Sequence, residues 1–285
     1  MGLLNRLKMG AVLTKDSALL IRHNPGLLLF PVVSGVAGIG FLALFLGVTF
    51  GLAQVAADAG LIAGLFLAYL ALTFVSSFFA AGLVHQTRAV LAGNEPSLKA
   101  GLAAAWARKG PLFVWSVIAA TVGIVINAIE NSDSRIGRIL GVVFGVAWTL
   151  MTFFIIPVIV FERTSTVGMF KESARKFKQT YGETPVSLIG IQLLSSLIAL
   201  PFVLVGMYLN SIGIVPVAIG LVLLGVVLSF IMTQTLGGVV KTALYFYAEE
   251  GKQPDEFDNV DFENLDTDQD RGFGTGRRPS GGGFR

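Results

Sequence analysis

The sequence contains no cysteine, which removes disulfides, thiolate metal sites and cysteine nucleophiles from consideration. It has only two histidines, His23 and His85. Both fall on the side of the chain that also carries Glu95 and Glu162, but no pair has a ligand spacing such as His-Glu-x-x-His. No acidic residue has an evident place beside either ring, so Ser-His-Asp chemistry has no support. No Gly-x-x-x-x-Gly-Lys-Ser/Thr run is present, which leaves no phosphate-binding loop of that type. No cofactor and no nucleic-acid partner is expected.

Charge is scarce as well. Asp, Glu, Lys and Arg make up 14% of 285 residues, against about 25% in an ordinary soluble domain. The early residues lack the compact order of a secretory signal. Lys8, Lys15, Asp16, Arg22 and His23 are spread through the first 25 positions, and the first long apolar run begins only at Gly26. That run is expected to be an uncleaved span.

What is abundant is apolar sequence in long blocks. Mean hydropathy is +0.74, and six blocks exceed the roughly 18 residues that a membrane span requires. They are Leu27–Ala53, Gly60–Val84, Pro111–Ile129, Ile139–Phe161, Val186–Leu209 and Ile214–Val240. The expected fold is an all-α polytopic membrane bundle with a six-helix transmembrane domain over residues 1–250 and a disordered cytoplasmic tail over 251–285.

Orientation follows from where Lys and Arg fall. The first and fifth connections have none, and the third has only Arg135 and Arg138. All the others lie before the first span, in the second and fourth connections, or after the sixth. This segregation places both termini in the cytoplasm of a multi-pass cell-membrane protein.

The cytoplasmic pieces resemble one another. Lys15 to Pro25, Lys99 to Pro111 and Lys171 to Pro185 each begin with Lys, continue with helix formers and end in a proline that leads into a span. The six spans therefore read as three repeats of an interfacial helix plus a transmembrane hairpin. In the second unit Ser97 is a good N-cap residue, and Leu98, Leu102, Ala105 and Trp106 fall together. In the third, Val167, Phe170, Ala174, Phe177 and Tyr181 share one helical face, leaving Lys171, Arg175, Lys176 and Lys178 off it. That pattern suits a helix lying among headgroups, with the four basic residues as candidate contacts for anionic lipid. A purely structural elbow is the plainer reading of the same pattern.

Other features concern packing. Pro111 and Pro185 stand at span starts, where a missing N–H is harmless. Pro31, Pro157, Pro201 and Pro216 lie inside or near the ends of spans and are expected to kink them. Gly137, Gly141 and Gly145, four residues apart, form a flat strip suited to close helix packing within the chain or to a homo-oligomer contact. Gly47/Gly51 and Gly60/Gly64 repeat the spacing. Trp115, Tyr208, Tyr245 and Tyr247 are expected interfacial anchors, and Trp148 is expected to pack mid-span.

The central parts of the spans carry no Asp, Glu, Lys, Arg or His. A charge there costs at least about 2.5 kcal/mol and is usually kept for function, so pumps, proton-coupled carriers and voltage sensors are disfavoured. Asn127, Gln192 and Gln234 remain, with Ser76, Ser77, Ser195, Ser196, Thr233 and Thr235. Interhelical hydrogen bonding is the ordinary use of such residues; a shared polar cavity formed by Asn127, Gln192 and Gln234 is the functional one. Beyond Glu249 the tail is acidic to Asp270 and Arg/Gly-rich from Arg271.

The segments Asn24-Pro-Gly-Leu-Leu-Leu-Phe-Pro-Val-Val-Ser-Gly35 and Trp148-Thr-Leu-Met-Thr-Phe-Phe-Ile-Ile-Pro-Val-Ile-Val-Phe-Glu162, with Lys171-Glu-Ser-Ala and Tyr181-Gly-Glu183, resemble an uncharacterised six-span family of archaea, notably halophiles, and some bacteria. The resemblance spans roughly residues 10–250. More distantly, the chain is similar to the membrane domain attached to some glycerophosphodiester phosphodiesterases, without their enzymatic domain. Neither resemblance implies an activity or functional residues. The expectation is a non-enzymatic scaffold or lipid-associated component whose partners are membrane lipids, anionic ones included. The competing reading is a transporter or permease subunit for a neutral or lipidic substrate.

Overall fold

A computed structural model describes residues 15–132, 134–181 and 186–250; the expected disordered tail, 251–285, lies outside them. The described chain is all-α, and five of its helical stretches are long and apolar enough to cross a membrane: Pro25–Ala56, Asp58–Leu91, Lys109–Glu130, Arg135–Phe161 and Val215–Glu249. The chain is a multi-pass membrane protein in architecture.

Helix α1 (residues 15–23) ends at Asn24, whose side-chain amide donates to the Leu20 carbonyl at 3.1 Å. A 3-10 turn, Pro25–Leu28, leads into α2, Leu29–Leu91. As one straight rod the 63 residues of α2 would reach about 95 Å, three times the apolar thickness of a bilayer. The contacts show otherwise. Gly64 lies against Thr49, Gly60 against the Leu52 carbonyl, and Gly38 faces Leu72. These pairings require the chain to double back near Ala56–Asp58, so α2 is a hairpin of two candidate spans.

Two residues past its end, Gly93 adopts φ +76°, a left-handed conformation that glycine reaches without steric cost. Its N–H donates to Val90 and that of Asn94 to Ala89, each at 2.9 Å, the paired bonds of a Schellman stop. Helix α3, Leu98–Ala107, starts as expected at Ser97, whose hydroxyl accepts from Ala100 N–H at 3.4 Å. Ser97 N–H in turn donates to Gln86 Oε1 at 2.7 Å. The Phe30 ring is wedged between Gly82 and Gly101, so α3 is docked on α2. Trp106 points outward, with the Lys109 ammonium 4.2 Å above its ring.

Helices α4, Lys109–Glu130, and α5, Arg135–Met151, form the next hairpin. The glycine strip of α5 is used here: Gly141 meets the backbone of Glu130, and Gly145 meets Ile126 and the Glu130 carboxylate. Gly137 faces the connecting turn at Ser132, so the strip serves packing within the chain. The fourth span is interrupted at Thr152–Phe154 and resumes as α6, Ile155–Phe161. Pro157 explains the position of the break, because its ring clashes with the carbonyl of Phe153 and it has no N–H to offer.

Helix α7 is Thr166–Tyr181, α8 is Val186–Ser211 and α9 is Val215–Glu250. Helix α8 covers the fifth expected span, although the side chains of residues 181–196 lie outside the described set. A second Schellman stop joins α8 to α9 at Gly213, φ +84°. Gly206 against Val222 and Gly225 against Phe202 hold the pair close. Helix α9 continues ten residues past Val240, the expected end of its span.

Most of the buried apolar residues among those described form one cluster at the end where α1, α3, α6 and α7 gather, hereafter the foot. It includes Leu27, Phe30, Leu112, Phe154, Val158 and Leu244, all essentially sealed. The opposite halves of the long helices expose Leu46, Phe50, Val55, Val143, Leu204 and Leu223. Lipid tails are as apolar as leucine, so such surfaces need no cover in a bilayer. Two expected interfacial anchors belong instead to the core. Trp115 is buried and stacks on Trp148 at 5.9 Å, and Tyr245 is buried beside Phe154.

Replacing Gly141 with Leu drives new atoms into the Glu130 backbone and should cost about 1–3 kcal/mol by overpacking. Gly47→Leu, where an added side chain starts in open space, should be neutral. Thermal denaturation of the two purified variants checks the contrast; equal melting temperatures would refute the packing role of the strip.

Candidate functional site: a basic helix beside an intrabundle cleft

Helix α7 is held to the bundle by unlike contacts along one face. Met169, Ser173, Lys176, Phe177 and Thr180 are buried, while Val167 is 78% exposed. The inward face is thus rotated from the one expected from apolar residues alone. The Ser173 hydroxyl accepts the N–H of Phe154 at 3.0 Å. This donor lies in the interrupted stretch ahead of Pro157, so α7 supplies a partner that the broken helix needs.

This rotation divides the four basic residues. Lys171, Arg175 and Lys178 are exposed, and Arg175 pairs with Glu172 at 2.5 Å. Lys176 is a correction to the expectation of a lipid contact: its side chain is 3% exposed and faces inward. Its ammonium pairs with Glu249 and lies 3.3 Å from Glu162 Oε1. The Tyr245 hydroxyl donates to the same Glu162 oxygen at 2.8 Å, and the Lys176 ammonium lies 4.5 Å from the Tyr245 ring centre. Nearby, the Arg88 guanidinium sits over Phe161 and Phe246 at 5.1 and 4.6 Å. The foot is therefore closed by a small ionic and aromatic network linking α2, α6, α7 and α9.

Deeper in the bundle, a cleft of about 600 Å³ lies between both halves of α2, the interrupted fourth span and α9. Its walls are mainly apolar, with Trp115, Trp148 and Phe153 among them. Helix α9 contributes a stripe at helical spacing: Phe230, Thr233, Gln234, Gly237, Gly238 and Lys241. Ser76 and Ser77 face it from α2. The Thr149, Thr152 and Thr233 hydroxyls donate to carbonyls of their own helices.

The residues expected to share a cavity are not all brought together. Gln234 lines the cleft. Asn127 is exposed near the C-terminal end of α4 and does not line it. The side chains of Gln192, Ser195 and Ser196 lie outside the described residues. Thr235 is buried but faces away from the cleft.

Lys241 was not singled out in the sequence, where it reads as one more cytoplasmic charge just past the last span. The continuation of α9 places it eight residues before Glu249, about 12 Å further into the bundle. Its ammonium lies 5.0 Å from the Phe153 ring centre, and it has no carboxylate partner among the described residues. The signal that finds it is the i, i+3, i+4, i+7 stripe beginning at Gln234.

Among the described residues no group of three His, Asp or Glu side chains converges to hold a metal. His85 Nδ1 is 3.1 Å from the Gln86 amide nitrogen, and His23 is exposed.

A family model described as a family of unknown function (DUF6159) matches residues 58–255. The match begins at the second candidate span, rather than near residue 10 as the resemblance in the sequence suggested. No curated protein and no solved structure matches the chain.

Removing Lys176 should destabilise the foot by leaving Glu162 and Glu249 without their cation, at about 3 kcal/mol, the low end for a broken buried pair because Glu249 is half-exposed. Lys176→Met should therefore lower the melting temperature, and adding Glu162→Gln should recover part of the loss. A double variant no better than the single would show that the ionic network is not what Lys176 contributes.

Proposed function

The chain belongs to the DUF6159 family of unknown function, and we propose that it is a non-enzymatic, lipid-associated component of the cell membrane. The observation that carries this reading is the outward basic face of α7. Lys171, Arg175 and Lys178 are displayed at the foot of a bundle of long apolar helices, on a helix fixed in place by Ser173, Lys176 and Phe177. A surface of that kind attracts anionic headgroups by roughly 1 kcal/mol for each basic residue near the membrane.

The finer topology is part of the proposal. With α8 as a sixth span, the chain becomes three units, each a short helix followed by a hairpin: α1 with α2, α3 with α4 to α6, and α7 with α8 and α9. All three short helices then lie on one side, together with both termini. The asymmetry of Lys and Arg assigns that side to the cytoplasm.

A permease subunit for a neutral or lipidic substrate is the second reading. The cleft beside Gln234 favours it, because a binding site for a carried molecule needs such space.

Two experiments test these points. The cysteine-free chain allows single-cysteine mapping in intact cells. Asp58→Cys should react with an impermeant maleimide, and Asn94→Cys should react only after permeabilisation; the reverse pattern would refute the orientation. For lipid association, the bilayer patch around the purified protein should be enriched in anionic lipid. Charge reversal at Lys171, Arg175 and Lys178 should lower that enrichment severalfold, as measured by quantitative lipid mass spectrometry. An unchanged lipid profile would sink the reading.

A further inference from the structure

We propose that the cleft beside Lys241 is a binding site for the anionic headgroup of a single-chain amphiphile, with its chain lying along the aromatic wall. The inference goes beyond the surface reading of α7 and does not depend on it.

The argument starts from the lining. Among the described residues that line the cleft, Lys241 is the one basic residue and none is Asp or Glu. An ammonium that close to the apolar interior is costly and is normally matched by an acid. Here its described neighbour is the Phe153 ring. Ser76, Ser77 and Gln234 also line the cleft and make no hydrogen bond among the described residues. Four groups that can donate hydrogen bonds thus share one space, with no acceptor of matching charge among the described residues that line it. A carboxylate supplies what is missing, because it accepts several hydrogen bonds and neutralises the lysine.

The size of the space narrows the class. About 600 Å³ is ordinary for a small-molecule site, within the usual range of about 300–1,000 Å³. It accommodates a headgroup and one chain, not the body of a two-chain lipid. The Trp115, Trp148 and Phe153 walls suit an alkyl chain. Gly237 stands on the same stripe, and a side chain added there would extend into open space. Position 237 can therefore be used to fill the cleft without disturbing packed atoms.

Trp115 and Trp148 provide the readout. In a Trp106→Phe background the only remaining tryptophans line the cleft. The full chain in phosphatidylcholine nanodiscs would be titrated with dibrominated stearate, its methyl ester, and dibrominated phosphatidylglycerol. Saturable quenching by the free acid and not by the ester is expected. Lys241→Met should weaken it about tenfold or more, the loss of one charge-assisted hydrogen bond. Gly237→Leu should abolish it while leaving the melting temperature unchanged. Saturable, Lys241-dependent quenching by phosphatidylglycerol alone would overturn the single-chain assignment and make the bilayer the source of the anion. Equal binding of acid and ester, or Lys241→Met and Gly237→Leu variants that both bind like the parent, would overturn the site itself. The triple charge reversal on α7 should leave the quenching intact, so failure of the surface reading and failure of this one are separable.

Discussion

The arrangement depends on a single backbone defect. Pro157 cannot donate to the helix before it and forces that helix open at Thr152–Phe154. The interrupted turn also leaves the Phe154 N–H to be satisfied from outside its own helix, and an N–H inside a membrane bundle is expensive unless something accepts it. Ser173 does so, and α7 is thereby bound to the broken span. The same break presents Phe153 to Lys241 and helps to wall the cleft. The docking of the basic helix and the opening beside α9 both follow from this one interrupted turn.

The bilayer explains the uneven packing around this defect. Between helices in lipid there is little hydrophobic reward for contact, so close approach must be achieved by small residues and polar links. The molecule uses each where it needs it. Gly82 and Gly101 admit Phe30, and Gly141 admits the end of α4. Lys176, Glu162, Tyr245 and Glu249 join elements far apart in sequence. Away from the foot the long helices keep apolar side chains outward, as the solvent there permits.

Much of this was readable from residues alone, and the failures have physical causes. Hydropathy located the five candidate spans seen among the described residues, because membrane length is a property of the chain itself. Ser97 announced a helix start and Pro157 a break, since both act within a few residues of where they stand. The burial of Lys176 was hidden because its helix was oriented by apolar residues, whereas the observed face mixes Met169, Ser173, Phe177 and Thr180 around a paired lysine. Trp115 and Tyr245 looked like interfacial anchors by position, but their neighbours from other elements draw them inward. Asn127 and Gln234 could not be separated without knowing which way α4 and α9 turn. Lys241 was concealed by hydropathy, which marks where apolar sequence stops and not where the helix does.

The Lys176–Glu249 link joins positions 73 residues apart, with α8 and most of α9 between them. It acts as a clasp. The chain enters this last hairpin from α7, and the clasp returns its far end to the same helix. Any large excursion of α9 relative to α7 must first open the clasp, together with the Tyr245 contacts beside it, so the mechanical freedom of that hairpin is limited by a charged group on a neighbouring helix.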